Sequence, residues 1–146
     1  MRSLNVAIYG LGRIGRMFLR SYLESDEMDY KITHINDLMS GHTAEHLVNF
    51  DSMHGRLSQG VEFKSGELHT HKGKINYTSH DTPEEVKWGV NNIDIVVDAS
   101  GMAVSSGWCQ RHLDSGCDRV IASTIINDAE ITVVYGVNEQ DINKQH

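Results

Sequence analysis

Three glycines at fixed spacing follow an apolar run near the start of the chain. The run Leu4–Tyr9 predicts a buried parallel strand. Gly10, Gly12 and Gly15 come next, in the pattern Gly-x-Gly-x-x-Gly. The first glycine of this pattern allows a tight turn, the second lets the backbone approach a pyrophosphate, and the third lets a helix pack closely on the strand. The segment therefore predicts a dinucleotide site, with the phosphates at the N-terminus of a helix.

An acidic residue further along the chain extends this pattern. Residues 31–35 predict a second strand, and Asn36 and Asp37 follow it directly. In a dinucleotide-binding fold, a carboxylate at the tip of this strand accepts hydrogen bonds from the adenosine ribose and repels a 2′-phosphate. Asp37 therefore favours NAD over NADP as the ligand.

The elements that must position these residues alternate between strands and helices, which predicts an α/β fold. Helices are predicted directly after the glycine turn and over residues 43–50, 82–88 and 104–115, with a capping box at Thr82 and Glu85 and a last helical turn over 138–143. Further strands are predicted over 93–98, 119–122 and 131–135, and three short antiparallel strands over 61–63, 68–70 and 74–78.

The fold class is therefore a Rossmann-type doubly wound, mostly parallel sheet with a small antiparallel excursion. No change of composition suggests a linker, so we expect one domain over residues 1–146.

The composition argues against several classes of partner. The chain has 146 residues, 39% of them hydrophobic, and a formal net charge of −7. The excess of acid disfavours nucleic acid and anionic membranes, which attract clustered lysine and arginine. No apolar run approaches the length of a membrane span. Because the chain passes from Met1 almost directly into the first strand, we expect no signal peptide and a cytoplasmic location.

Several short motifs, in order along essentially the whole chain, resemble one family. They lie at residues 9–16, 35–37, 50–55, 88–89, 94–101, 119–123 and 136–138. With these motifs the chain resembles the amino-terminal, NAD-binding part of glyceraldehyde-3-phosphate dehydrogenase or of the related erythrose-4-phosphate dehydrogenase. Residues 132–138 are closer to the erythrose branch, whereas Asp37 is the commoner residue of the glyceraldehyde branch.

The resemblance implies a role for each matching position. Arg13 and Ile14 would donate backbone N–H groups to the pyrophosphate, and Asn36 would line the pocket beside Asp37. Ser100, Gly101 and Ser123, which follow the later strands, would line the nicotinamide side. The chain departs from the family pattern at residues 99–100, 124–125 and 81, where Ala-Ser, Thr-Ile and Asp replace the usual Ser-Thr, Ala-Pro and Arg.

The family's catalytic cysteine has no counterpart in this sequence. The resemblance implies a Ser-Cys-Thr-Thr-Asn motif shortly after residues 136–138, and the sequence ends at His146, just short of that motif. In the family that cysteine forms a thiohemiacetal, hydride passes to NAD, and phosphate attacks the thioester. Covalent catalysis needs an activated thiolate beside a base. We therefore expect no catalytic residues and no aldehyde oxidation by this chain alone, whether it is part of a longer enzyme or a non-catalytic regulatory relic.

A second pattern leaves a different class of protein open. His42, Glu45 and His46 form H-x-x-E-H, the inverted zinc-protease pattern, which on a helix places both imidazoles on one face. No third ligand is identifiable from the sequence. A zinc hydrolase is therefore the weaker hypothesis, and no metal is expected.

The remaining candidate residues predict structural roles. Cys109 and Cys117 are the only thiols, and we expect both to be structural. His54, in the turn of residues 51–55, is expected to make structural hydrogen bonds. The family resemblance implies a homo-oligomer, a tetramer in the family. Without the family's remaining domain one sheet face should stay apolar, so self-association is expected.

Overall fold

The computed structural model describes residues 2–146 and contains one seven-stranded sheet. In chain order the elements are β1 (Leu4–Tyr9), α1 (Arg13–Glu24), β2 (Tyr30–Asn36), α2 (Gly41–Asn49), β3 (Phe50–Asp51), β4 (Gly55–Arg56), β5 (Glu62–Lys64), β6 (Glu67–Thr70), β7 (Gly73–Thr78), α3 (Pro83–Val86), β8 (Ile95–Asp98), α4 (Ser106–Asp114), β9 (Arg119–Ala122) and a 3₁₀ helix (Glu139–Asp141). The strand order in the sheet is β5-β6-β7-β2-β1-β8-β9. The predicted α/β fold is confirmed.

The centre of the sheet is a topological switch point. Strand β1 pairs in parallel with β2 on one side and with β8 on the other. The registers place Tyr9 opposite both Asn36 and Asp98, so the carboxyl ends of three strands meet at one edge. Ligands of doubly wound folds bind in the crevice outside such an edge. The Gly10 turn leaves the sheet at this point.

Apolar side chains form a separate core on each face of the sheet. One core joins β1 and β2 to α1 and α2 through residues such as Ile8, Leu19 and Val48. The other core packs Ala7, Trp88 and Val96 against the side that carries α4. Because successive strand residues point to opposite faces, the continuous apolar run of β1 supplies both cores, as a buried parallel strand does.

The antiparallel excursion is part of the main sheet. Strands β5, β6 and β7 pair with one another in antiparallel fashion, as predicted. Strand β7 also pairs in parallel with β2, through His34 opposite Asn76 and Asn36 opposite Thr78. The excursion therefore extends the sheet by three strands and brings residues 78–81 to the same edge as Asp37.

The strand predicted at residues 131–135 is wrong. These residues carry β-branched side chains but pair with no strand among residues 2–146, and Tyr135 is 90% exposed. Their hydrogen bonds are local instead, since Asn138 accepts from the N–H of Val134 and donates to the carbonyl of Thr132. Strand propensity acts through packing against neighbouring strands, and within residues 2–146 this segment has no neighbouring strand.

Two smaller predictions on helices also need correction. Helix α4 begins at Ser106, two residues later than predicted, because the Ser105 hydroxyl caps it by accepting from the N–H of Trp108. At α3 the Thr82 hydroxyl makes no cap to the backbone and donates instead to the Glu85 carboxylate. The predicted capping box is therefore not formed as such.

An apolar groove beside α1 crosses strands β1, β8 and β9. It is lined by Leu4, Val6, Phe18, Tyr30, Ile95, Val97 and Ile121. Leu4 and Ile121 are each about half exposed. None of the helices within residues 2–146 is long and apolar enough to cross a membrane.

Candidate functional site

The glycine turn is built by close contacts that only glycine permits. Gly10 has a φ of +99°, and its N–H donates to the Asn36 carbonyl at 2.8 Å. A Cβ at Gly10 would lie 2.5 Å from the Cα of Ser100, and one at Gly15 would lie 2.1 Å from the Gly10 carbonyl oxygen. The turn is therefore pressed against both the loop after β8 and the start of α1.

Gly12 differs from the other two glycines because the space beside it is open. A Cβ at Gly12 would meet no atom of residues 2–146 within 4 Å. Gly12 is the N-cap of α1, and no side chain caps the helix start. The N–H groups of a free helix N-terminus attract anionic groups through hydrogen bonding and the helix dipole. This opening fits a pyrophosphate, and Arg13 and Ile14 supply the first backbone N–H groups of the helix.

Asp37 faces the glycine turn from the end of β2. One carboxylate oxygen accepts from the N–H of Leu11 at 2.5 Å, and the other accepts from the N–H of Met39 at 2.8 Å. Both bonds come from backbone, so the carboxylate is held beside the turn by the fold. Each oxygen keeps accepting capacity for a further donor, such as a ribose hydroxyl.

Asn36 is buried and braces the loop that follows β7. Its amide oxygen accepts from the Thr78 hydroxyl at 2.7 Å and from the N–H of His80 at 2.9 Å, and its amide nitrogen donates to the His80 carbonyl at 3.0 Å. The side chain is thus committed largely to the protein. Its position holds residues 78–80 beside Asp37, and its contact with a ligand stays a prediction.

The loops after β8 and β9 lie at the same edge. Gly101 has a φ of +77°, and the space beside it is open. The exposed Ser123 follows β9, and its N–H donates to the Asp98 carbonyl at 3.0 Å. Ser100 is fixed by Asp98, whose carboxylate accepts from both the N–H and the hydroxyl of Ser100. The structure therefore gathers all the predicted site residues at the carboxyl ends of β1, β2, β8 and β9.

A buried polar network behind Ser100 was missed by the sequence analysis. The second oxygen of Asp98 accepts from Trp108 Nε1 and pairs with His112 Nε2, each at 2.8 Å, and His112 Nδ1 accepts from Trp88 Nε1 at 3.0 Å. Asp98, His112 and Trp88 are almost fully buried. The available signals were an acid at the end of an apolar strand and Trp108 and His112 four residues apart on the following helix.

Hydrogen bonds keep the Asp98 carboxylate ionised despite its burial. Burial by itself raises the pKa of Asp98, but the hydrogen bonds from His112, Ser100 and Trp108 together lower this pKa by more than burial raises it. The net pKa lies below the ordinary value of 3.8. A buried carboxylate that accepts several donors is expected to behave in this way.

The turn at residues 51–55 is tied to the first residue of α1. The Arg13 guanidinium pairs with the Asp51 carboxylate, which also accepts from the backbone N–H groups of Met53 and His54. The backbone bond from His54 is the largest of the causes that hold the pKa of Asp51 well below its usual range. The structural role predicted for His54 is confirmed, since its ring lies 3.1 Å from Asp51.

The H-x-x-E-H pattern is engaged in packing. His42 lies edge-on to Phe63, His46 packs on Phe50, and the Glu45 carboxylate accepts from the N–H of Phe63 at 2.8 Å. Within residues 2–146 no group of three or more His, Cys, Asp and Glu side chains is arranged to hold a metal ion. The pattern joins α2 to β5.

The two cysteines lie on the far side of the sheet from α1 and α2. Cys117 is buried, and burial raises the pKa of its thiol to about 11. Cys109 is half-buried, and burial likewise raises its pKa. Both thiols stay protonated near neutral pH, which agrees with the structural roles predicted for them.

A doubly wound sheet whose glycine turn opens onto an uncapped helix start, with an acid on the neighbouring strand tip, is a dinucleotide-binding domain. The family model described as "Glyceraldehyde 3-phosphate dehydrogenase, NAD binding domain" matches residues 4–106. The chain belongs to this family, and its cofactor is NAD.

Individual relatives support the same assignment. The chain is 37% identical over 144 residues to a glyceraldehyde-3-phosphate dehydrogenase of Xanthobacter flavus, which covers 99% of this chain and 43% of that protein. The corresponding enzyme of Mycoplasma pneumoniae is 38% identical over 145 residues, covering 99% of this chain and 42% of the relative. Glyceraldehyde-3-phosphate dehydrogenase 1 of Bacillus subtilis is 33% identical over 137 residues, which make up 94% of this chain and 40% of that relative. The chain thus spans about two fifths of the length of these relatives.

Proposed function

We propose that residues 1–146 form one domain that binds NAD for a phosphorylating glyceraldehyde-3-phosphate dehydrogenase. The observation that carries the proposal is Asp37, which faces the open glycine turn at the switch point of the sheet. The relatives named glyceraldehyde-3-phosphate dehydrogenase support this enzyme over the erythrose branch. A cytoplasmic location remains a prediction, as does the absence of catalytic residues from this chain.

Each residue of the proposed site has a distinct task. Gly10 and Gly15 shape the turn, and Gly12, Arg13 and Ile14 present the N–H groups that bind the pyrophosphate. Asp37 binds the adenosine ribose and Asn36 holds the adjacent loop. Ser100, Gly101 and Ser123 line the side where the nicotinamide lies. NAD bound there would accept a hydride from a substrate, and this chain would bind and orient the cofactor.

Substituting Asp37 by asparagine tests the proposal. The amide keeps an oxygen for one backbone N–H but loses the charge. We therefore expect NAD affinity to fall about tenfold, the scale of a lost charge-assisted hydrogen bond. The preference for NAD over NADP should narrow, because the 2′-phosphate no longer meets an anion. Isothermal titration calorimetry with both nucleotides measures the two effects.

The matched control for this experiment is Asp26→Asn. Asp26 is an exposed acid just beyond the carboxyl end of α1, away from the glycine turn, so the same change of charge there should leave both affinities unaltered. If the unmodified chain binds neither nucleotide, or if the two variants bind NAD equally, the proposed site is wrong.

We further propose that the chain associates with a second copy of itself through the apolar groove beside α1. Ile121 is 54% exposed there and lies on the edge strand β9, so replacing it by lysine should shift the chain towards monomer. Sedimentation velocity over a range of concentrations measures the shift. Val90→Lys is the control, since Val90 is 79% exposed away from the groove. A chain that stays monomeric at the highest concentration contradicts the proposal.

A further inference from the structure

The loop that carries Ser100 and Gly101 is held between two neighbours. On one side Gly10 packs on it so closely that a Cβ there would reach to 2.5 Å from the Cα of Ser100. On the other side the Asp98 carboxylate accepts from the N–H of Ser100 at 3.0 Å and from its hydroxyl at 2.6 Å. The position of Asp98 therefore determines where this loop lies relative to the glycine turn.

The position of Asp98 is determined in turn by His112. Trp88 Nε1 can only donate, so His112 Nδ1, at 3.0 Å from it, must accept. The ring is then protonated at Nε2 and donates to Asp98 at 2.8 Å. Trp88 thus fixes the tautomer of His112, and His112 fixes the carboxylate. All three side chains are buried, so water does not replace these bonds.

We propose that His112 is a positioning residue for the nicotinamide half of the cofactor, acting through Asp98 on the Ser100–Gly101 backbone. His112 lies behind the loop and is fully buried. This inference rests on the proposed function. It predicts that a defect at His112 weakens binding of NAD but not of AMP, because AMP lacks the part that reaches this loop.

Two substitutions of His112 separate positioning from general structural support. The amide nitrogen of glutamine reaches the place of Nε2 and keeps the donor to Asp98. Asparagine reaches only the place of Nδ1 and loses that donor. We expect His112→Asn to lower NAD affinity about tenfold, the scale of one lost hydrogen bond to a charged group, and His112→Gln to stay close to the unmodified chain. AMP affinity should be unchanged in both.

Calorimetric titration of the full chain with NAD and with AMP gives distinguishable outcomes. If the unmodified chain binds both and the two variants bind NAD equally, the positioning role is wrong and the proposed function stands. Equal loss of NAD and AMP binding in His112→Asn shows general structural damage and also overturns the role. If the unmodified chain binds neither nucleotide, the proposed function fails and this inference fails with it.

A milder variant keeps the test open if neither His112 substitution folds. Trp108→Phe removes one donor from the same Asp98 oxygen and keeps an aromatic ring, and Trp108 lies partly buried at the rim of the core. NAD affinity should fall by about threefold while AMP affinity holds, a partial loss of the same interaction. An unchanged NAD affinity in a folded Trp108→Phe chain overturns the inference.

Discussion

Gly15→Ala is expected to destabilise the chain by about 3 kcal/mol, the upper end of the usual cost of overpacking. A Cβ at Gly15 would lie 2.1 Å from the carbonyl oxygen of Gly10, and this neighbour is backbone. Relief would require moving either α1 or the turn. The turn cannot yield easily because Gly10 is itself packed against Ser100. The free energy of unfolding in urea measures the effect.

The control for Gly15→Ala is the same substitution at Gly12. A Cβ at Gly12 would meet no atom of the described part of the chain within 4 Å, and the backbone angles of Gly12 suit alanine, so the free energy of unfolding should change little. NAD binding by Gly12→Ala should nevertheless weaken, because the new methyl group occupies the space proposed for the pyrophosphate. If Gly15→Ala and Gly12→Ala have equal free energies of unfolding, the turn does not depend on the close packing of Gly15.

Acidification from pH 7 to pH 5 is expected to cost about 2 kcal/mol of stability through His34 alone. Burial, with a smaller contribution from His80, lowers the pKa of His34 from 6.5 to about 4. The Thr78 hydroxyl donates to Asn36, so His34 Nε2 must donate to Thr78 and Nδ1 carries no proton. A second proton would go to Nδ1, which is buried without a hydrogen-bond partner among residues 2–146.

The direction of this effect follows from proton uptake. Between pH 6.5 and pH 4 the unfolded chain protonates His34 and the folded chain does not. The unfolded state therefore gains free energy as the pH falls, and stability declines until the pH passes the folded pKa. Above pH 6.5, where His34 is mostly neutral in both the folded and the unfolded chain, this stability is retained.

Urea unfolding of His34→Gln at pH 7 and pH 5 isolates the contribution. Glutamine keeps a donor for Thr78 but does not titrate, so the loss of stability between the two pH values should be about 2 kcal/mol smaller than in the unmodified chain. His71→Gln, which removes an imidazole at an exposed position, is the matched control with which His34→Gln is compared. If His34→Gln loses as much stability between pH 7 and pH 5 as the unmodified chain does, His34 is not the group that causes this loss.

The features predicted well from the sequence depend on neighbours close along the chain. The turn from β1 into α1 needs only the three glycines and the flanking apolar residues. The predicted place of Asp37 at the tip of the second strand follows from the general geometry of a βαβ unit. The structure adds the hydrogen bond from the Leu11 N–H, which fixes the distance.

The features that were missed depend on contacts distant in sequence. Residues 131–135 have strand composition, but a strand also needs a partner, and propensity carries no information about one. The parallel pairing of β7 with β2 joins Asn76 to His34 across a long stretch of chain. Asp98 and Trp88 are joined by hydrogen bonds to the two ring nitrogens of His112. The spacing of these residues along the sequence does not predict such a network.

The backbone bonds to Asp37 have a thermodynamic consequence for recognition. Both carboxylate oxygens are already anchored by the N–H groups of Leu11 and Met39. The acid is therefore preorganised, and capturing the sugar freezes no rotamer of this side chain. Ordering a mobile side chain at an interface costs about 0.5–1.5 kcal/mol. Because this entropic cost is met during folding, it is not subtracted again from the free energy of nucleotide binding.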